Sequence, residues 1–218
     1  MQYLLSPYNY DLTDPGSIPN LFLQHLTLVG ITMLISLIIA IPLGLLAARV
    51  RWLYAPLLGV SDVLYTIPSI AMVAFLIPLS GFTLPTVIVP LVIYTQLVLI
   101  RNIVTGIHAV DPLMIEVGKA MGMSGLQLFL RVRLPLALPT IVAGVRIATV
   151  TTIGIASLAS LVGDGGLGDL IFKNIATLDL NAITAGAILL AALAIIVDLL
   201  LLGLQTALNR GRNSLARV

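Results

Sequence analysis

The sequence predicts an all-α integral membrane protein that crosses the bilayer five times. Of its 218 residues, 59% are apolar and 9% are charged, and the mean hydropathy is +1.13. Soluble domains carry about 25% charged residues, so the composition excludes an ordinary soluble fold. The long uncharged runs are of the length that a helix needs to cross the hydrocarbon layer, about 20 residues.

Five charge-poor stretches define the predicted spans. The 38 residues from Val63 to Ile100 carry no charge, but as one helix they would measure about 57 Å, too long for a single crossing of roughly 30 Å. A break is therefore expected in segment 79–85, which contains Gly81 and Pro85. The transmembrane domain is predicted at 21–209, after a lead-in at 1–20 and before a tail at 210–218, with spans at about 22–48, 57–78, 84–104, 139–162 and 183–208.

The basic residues set the predicted orientation. They follow the first span, lie between the third and fourth, and follow the fifth, whereas the opposite face carries Lys173 and five aspartates. Because Lys and Arg are retained on the cytoplasmic side, the N-terminus is expected outside and the C-terminus in the cytoplasm. The basic residues on the cytoplasmic face are Arg49, Arg51, Arg101, Lys119, Arg131, Arg133, Arg210, Arg212 and Arg217.

A polar segment at 112–135 interrupts the apolar chain on the cytoplasmic side, and its first half predicts a short helix. Asp111 is a suitable N-cap, and Pro112 fits the first turn, where no backbone N–H is needed. The helix is expected to run to about Met121 and to end at Gly122, which tolerates a left-handed backbone.

The second half of this segment predicts another short helix. Ser124 and Gln127 have the spacing of a capping box, and an apolar run follows them. Leu134-Pro135 and Leu138-Pro139 are expected to stop this helix and turn the chain back into the bilayer. From this pattern alone, an interfacial amphipathic helix between two spans is an equally good interpretation.

Three charged residues lie well inside predicted spans and require partners. Asp62, Arg146 and Asp198 are each about 10 to 15 Å from the cytoplasmic end of their span, where a charge costs roughly 2.5 to 3.5 kcal/mol. We expect Arg146 to pair with Asp198 or Asp62 in a buried charge network. A structural clamp is the favoured role and an inner gate the alternative.

The sequence offers no catalytic or metal-binding constellation. There is no cysteine, and the two histidines, His25 and His108, fall at opposite ends of the predicted topology. No phosphate-binding motif of an ATPase is present, and a net charge of +2 gives no reason to expect nucleic acid. We therefore expect no enzyme activity, cofactor or metal in this chain.

Residues 163–168 fit the letters G-x-G-x-x-G, but their context excludes a dinucleotide site. That fingerprint follows a strand and opens a helix inside a βαβ unit. Here it follows a predicted membrane span and lies on the external side. A flexible or tightly turned external loop is the expectation.

The spacing in the polar segment resembles the cytoplasmic loop of ABC importer permeases. That loop has Glu-Ala-Ala, three residues, Gly, nine residues and Ile-x-Leu-Pro; this chain has Glu116, Gly122, and Leu134-Pro135 at the same spacing. Val117, Gly118 and Val132 depart from the pattern but stay small or apolar. Other stretches resemble the osmoprotectant branch of these importers: 41–44, 66–71, 101–106, 138–146 and 163–168.

The resemblance implies a type I ABC importer permease in a bacterial inner membrane, taking up glycine betaine, carnitine or choline. It implies a second permease subunit, identical or paralogous, two cytoplasmic ATPases that bind ATP and Mg, and an external binding protein. The residues that the resemblance assigns to ATPase coupling are Glu116, Gly122, Ser124, Leu134 and Pro135, and the loop with Asp164 and Asp169 sits where the binding protein docks.

Two tyrosines are candidates for the solute path. Tyr65 and Tyr94 lie in the second and third spans and could offer an aromatic face to a trimethylammonium group. Packing between helices is the favoured interpretation. Pro68, Pro78 and Pro90 are expected to kink or end these two helices.

Other function classes remain open at this stage. A permease for methionine or another small nutrient would suit the same five-span layout. A secondary transporter or a channel would explain the spans and the charges within them, but it gives no reason for the polar segment at 112–135, here called the coupling segment.

Overall fold

The protein is an all-helical membrane domain, described by a computed structural model over residues 2–163 and 165–215. Asp164 and Arg217, both singled out in the sequence, lie outside the described residues. No β-strand occurs in the described ranges. The helices are α1 Gln2–Leu5, α2 Ile18–Arg49, α3 Arg51–Thr66, α4 Ser69–Ser80, α5 Leu84–His108, α6 Pro112–Ala120, α7 Gly125–Leu128, α8 Leu134–Ala156, α9 Asp169–Ile175 and α10 Leu180–Leu215.

Four helical stretches are long and apolar enough to cross a membrane. They are Ile18–Arg49, Leu84–His108, Gly125–Val162 and Leu180–Asn209, and the bent pair α3 and α4 would make a fifth. These helices cover the five spans predicted from charge. The lead-in before α2 contains α1 and a 3-10 turn at Pro7–Tyr10.

The second span is broken, whereas the sequence predicted one helix at about 57–78. α3 and α4 meet at an angle of 91° across Ile67 and Pro68. A proline disfavours the helical conformation in the residue before it, and Ile67 is accordingly extended, with φ −67° and ψ 127°. Pro68 breaks the span as expected, whereas Pro78 and Pro90 lie inside α4 and α5.

The predicted chain reversal at Leu134-Pro135 is wrong. α7 continues through a π-helix at Phe129–Arg133 directly into α8, so that helix extends without a break from Gly125. The backbone N–H of Leu134 donates to the carbonyl of Phe129, five residues back. This wider turn moves the carbonyls away from the proline ring that follows, which an ordinary α-turn would bring into conflict.

α5 is the centre of the bundle, packed between α2, α8 and α3. Close approach depends on small residues: a side chain on Gly44 would overlap Ile103, and one on Gly144 would overlap Asn102. The largest fully buried apolar residues on α5 are Leu91, Leu99, Ile100 and Ile103.

The described part of the Gly-rich loop, residues 165–168, is packed against α2. Gly166, Leu167 and Gly168 are buried, and Gly166 has a left-handed φ of +50°. A side chain on Gly166 would meet the backbone of His25, with its Cβ 2.8 Å from the His25 Cα. In its described residues the loop is therefore the tightly turned alternative of the two that the sequence left open, held close to the N-terminal part of α2.

Candidate functional site

The polar segment at 112–135, between α5 and α8, begins with a capped helix. The Leu113 N–H donates to the Asp111 carboxylate at 2.8 Å, which caps α6. After α6 the chain turns at Gly122, whose φ is +77°. The Gly122 N–H donates to the carbonyl of Lys119 at 2.9 Å. Both ends of the helix follow from local sequence signals.

α7 begins with the capping box that the sequence predicts. The Ser124 hydroxyl accepts from the Gln127 N–H at 3.3 Å, and the Gln127 side chain accepts from the Ser124 N–H at 2.9 Å. These two bonds satisfy backbone donors at the start of the helix. They fix where α7 begins and therefore its direction after the Gly122 corner.

Gly118 joins the two short helices, a role that the sequence did not indicate. Gly118 is buried, and a Cβ at this position would lie 2.5 Å from Leu128 Cδ1. The missing side chain gives Leu128 of α7 room to pack on α6. The departure from alanine at position 118 therefore has a packing function rather than only a cost in helix propensity.

The surface of α6 presents a carboxylate surrounded by apolar residues. Glu116 is exposed, and within the described part of the chain it has no ion pair or hydrogen bond. Leu113, Val117 and Met121 are spaced by four residues and therefore share one face of α6, and exposed apolar groups of this kind mark interaction sites. The exposed apolar residues of this coupling surface are Leu113, Met114, Val117, Met121, Leu126 and Leu130. Leu134 is half-buried beneath it and Pro135 is exposed.

A cavity of about 650 Å³ lies between the C-terminal end of α2 and the start of α7. Arg49, Arg133 and Phe129 line it. The Nε of Arg133 is buried without a hydrogen-bond partner among the described residues. The cavity separates the coupling segment from the end of the first span, so the segment is not packed tightly against α2.

One of the predicted ion pairs links α8 to α10. Arg146 Nε donates to Asp198 Oδ1, and Arg146 Nη1 lies 3.4 Å from the Gln205 side-chain oxygen. The two charged side chains are 29% and 32% exposed. Of the two partners that the sequence left open for Arg146, the structure has Asp198.

Asp62 belongs to a different pair, so the expectation of one buried network of three charges is wrong. Arg101 Nη2 donates to Asp62 Oδ1 at 3.1 Å, and the two side chains are 50% and 52% exposed. Asp62 and Arg146 lie on α3 and α8, and their partners differ. Similar depth in the bilayer did not identify the pairing, because the rotation of each helix about its axis decides which side chains meet.

The two tyrosines form an aromatic pair. The rings of Tyr65 and Tyr94 are 5.8 Å apart at 83°, an edge-to-face arrangement. Tyr94 is buried, and its hydroxyl donates to the Ile67 carbonyl at 2.6 Å, whereas Tyr65 is 41% exposed. Tyr94 thus has the structural role that the sequence favoured, since it satisfies a carbonyl that the Pro68 break leaves free.

Asp169 begins α9 and forms an ion pair within that helix. Its carboxylate accepts from Lys173 one helical turn later, and its side chain is 9% exposed while that of Lys173 is 57% exposed. Burial leaves Asp169 little surface for a docking protein, whereas more than half of the Lys173 side chain is exposed. Among the described residues no group of His, Cys, Asp or Glu is arranged to hold a metal.

Residues 40–214 match the protein family described as binding-protein-dependent transport system inner membrane component. The chain is 37% identical to the osmoprotectant import permease protein OsmW of Salmonella typhimurium, over 92% of this chain and 96% of that protein. It is 40% identical to the glycine betaine/carnitine/choline transport system permease protein OpuCD of Bacillus subtilis, over 96% of this chain and 92% of that protein.

The fold is similar to that of a solved transporter in an inward-facing state. The MetNI methionine ABC transporter has a chain that superimposes with a TM-score of 0.77, covering 88% of this chain and 95% of that chain at 21% sequence identity. At that identity the likeness shows the fold alone. The architecture is therefore the type I ABC importer permease fold that the resemblance implied.

Proposed function

Because this chain belongs to the family of binding-protein-dependent transport system inner membrane components, we propose that it is the permease subunit of an ATP-driven importer for osmoprotectants such as glycine betaine, carnitine or choline. The observation that carries this proposal is identity of 37% and 40% over more than nine-tenths of the chain to two permeases of that kind. The methionine alternative has only a likeness of fold, at 21% identity.

The exposed coupling surface on α6 and α7 supports the proposal that a partner ATPase binds to this chain. Among the described residues Glu116 has no ion pair or hydrogen bond, and exposed apolar residues lie around it, as expected of a patch that another protein covers. The proposed assembly has a second permease subunit, two cytoplasmic ATP-binding subunits and an external binding protein. ATP and Mg bind to the ATPases, the N-terminus is external and the C-terminus cytoplasmic.

The helix geometry suggests how ATPase movement reaches the membrane. Since α7 runs through the π-helix into α8 without a break, a displacement of the coupling surface moves α8 directly. α8 is joined to α10 through Arg146 and Asp198 and packs on α5 through Gly144. Gly122 is the corner at which α6 changes direction. The coupling segment, residues 112–135, moves as a rigid lever when the two ATPases close on ATP.

The test of coupling is purification of the chain, expressed with its chromosomal neighbours in gentle detergent. An ATP-binding protein is expected to accompany the wild type and to be reduced in Glu116→Lys. Gly122→Val is expected to insert but to uncouple ATP hydrolysis from uptake, because a β-branched residue at φ +77° costs about 1 to 2 kcal/mol and shifts the corner. Gly125→Val is the matched control, since its position is open.

The solute is tested by uptake into vesicles that contain the complete complex and its binding protein. ATP-dependent uptake of glycine betaine, carnitine or choline, without uptake of methionine, is the expected result. In the purification experiment, recovery of the chain without any ATPase would instead favour a secondary transporter or channel. Normal coupled transport by Gly122→Val would rule out the lever.

A further inference from the structure

The Asp62–Arg101 pair is unusual for a protein in a bilayer because it is half exposed. The two side chains are 52% and 50% exposed, against 32% and 29% for Asp198 and Arg146. Arg101 lies seven residues before His108, the last residue of α5, which is about 10 Å along the helix. Its neighbours Ile100 and Ile103 are almost fully buried in the bundle.

Hydrocarbon is a poor environment for this pair. Charged groups at membrane depth almost always face the interior of a bundle or a water-filled cavity. The bundle of this single chain does not enclose Arg101, since half of its side chain remains accessible. The face of α3 and α5 that carries the pair must therefore border water or another subunit.

A polar row on α5 leads from this pair toward the cytoplasmic end. Arg101, Thr105 and His108 are all exposed, and their spacing of four and three residues places them on one face of the helix. The rest of α5 is well covered, with 61% of its most apolar window buried. From Pro90 to the end of the helix, the exposed residues of α5 are these three polar ones.

The elbow between α3 and α4 places Asp62 beside this row. Among the 28 residues of the two helices, only Ser61, Met72 and Val73 are buried. Tyr94 holds the elbow through the Ile67 carbonyl, so the exposed face of α3 has a fixed position relative to α5. Thr66 is exposed and lies one turn beyond Asp62 on that face.

We propose that Asp62, Arg101, Thr66 and Thr105 line the cytoplasmic half of the solute path. This rests on the proposed function, because the other wall of the path is the second permease subunit. Arg101 uses only Nη2 in its bonds to Asp62, and a guanidinium has further N–H donors. Those donors suit the carboxylate of a zwitterion such as glycine betaine or carnitine, and Asp62 keeps the guanidinium in place between passages.

The absence of cysteine from the chain makes accessibility a direct test. Thr66→Cys and Thr105→Cys are made singly, with Leu200→Cys as the control because Leu200 is 69% exposed on α10 and faces away from Asp198. Each is treated with a membrane-impermeant thiosulfonate in the assembled, transport-competent complex. Only a thiol that reaches water forms the reactive thiolate.

Both path variants are expected to react about tenfold faster or more than Leu200→Cys, and bound solute is expected to slow them. If both react as slowly as the control while the complex transports, the face is covered by lipid or protein and the proposal fails. Labelling at the expected rates in a complex that transports no quaternary amine would overturn the proposed solute class but not the path.

A second arm tests the chemistry of Arg101. Arg101→Gln is expected to reduce uptake of glycine betaine and carnitine more than uptake of choline, which has no carboxylate. Arg101→Lys keeps the positive charge and is expected to retain part of the uptake of glycine betaine and carnitine. Equal reduction of all three solutes, with the complex assembled, would assign the pair a structural role and reject the recognition of the carboxylate. The solutes that the wild type transports are measured first. A failure of the proposed solutes can then be distinguished from a failure of the proposed role of Arg101.

Discussion

The two helices α5 and α10 are both long and apolar, yet their surroundings are opposite. The most apolar window of α5 has a mean hydropathy of 2.0 and is 61% buried, whereas that of α10 has 2.9 and is 6% buried. The more apolar helix is therefore the less buried one. In a bilayer, lipid solvates apolar side chains as well as protein does, so high hydropathy marks contact with lipid rather than a place in the core.

Buried polar residues, besides the buried apolar ones, distinguish the position of α5 in the core. Thr86, Tyr94 and Thr95 on α5 are all buried. The Thr95 hydroxyl bonds to the Ser36 hydroxyl of α2 at 2.6 Å. Small residues let neighbouring backbones approach, and polar side chains then bond across the interface. α10 instead presents large apolar side chains outward, including Ile195, Leu199 and Leu200.

The largest expected effect comes from filling the contact between α8 and α5. Gly144→Val would overlap Asn102 and is expected to lower the free energy of unfolding by about 3 kcal/mol, the upper part of the range for overpacking. Gly203→Val on α10 carries the same change in helix propensity but points into open space. Thermal unfolding in detergent compares the two.

The contrast between these glycines depends on the rigidity of the packed interface. Asn102 is held by a bond from its side-chain nitrogen to the Val98 carbonyl at 2.8 Å, so moving it aside breaks that bond. Equal unfolding temperatures for the two variants would mean that α5 and α8 can separate at little cost, and the distinction between a packed α5 and an open α10 would be lost.

A smaller effect is expected from the pair that attaches α10 to α8. Arg146→Ala leaves the partly buried Asp198 carboxylate unpaired, at a cost of about 2 kcal/mol, and the folded yield should decrease. Removing the carboxylate as well, in Arg146→Ala with Asp198→Ala, is expected to restore part of the yield. Arg146→Ala with Asp62→Ala is the control and should give no rescue, because Asp62 pairs with Arg101. Normal yield from Arg146→Ala alone would refute the clamp.

Features fixed by neighbours in sequence could be predicted, and features fixed by helix rotation could not. The cap at Asp111, the corner at Gly122 and the capping box of Ser124 and Gln127 all follow from spacing of two or three residues. Hydropathy located the spans because their length is set by the bilayer.

The prolines show where local reasoning was insufficient. Pro68 does break its span, but Pro135 lies in a continuous helix because the π-turn before it accommodates the ring. The pairing of Asp62 with Arg101 likewise depends on which face α3 turns toward α5. Charges at equal depth in the sequence do not reveal how each helix is rotated about its axis. The packing role of Gly118 likewise becomes visible only when the structure places Leu128 against it.

The smallest of these effects tests how α5 holds the elbow of α3 and α4. Tyr94→Phe removes the hydroxyl that donates to the Ile67 carbonyl at 2.6 Å and should cost about 1 kcal/mol, with the ring contact to Tyr65 kept. Tyr65→Phe is the matched control, because the Tyr65 ring is 41% exposed and its hydroxyl makes no bond within the described residues. Thermal unfolding measures both. If Tyr65→Phe were the more harmful variant, the elbow between α3 and α4 would depend on the Tyr65 hydroxyl rather than on the bond from Tyr94. The buried helix α5 would then not be what positions the exposed face of α3.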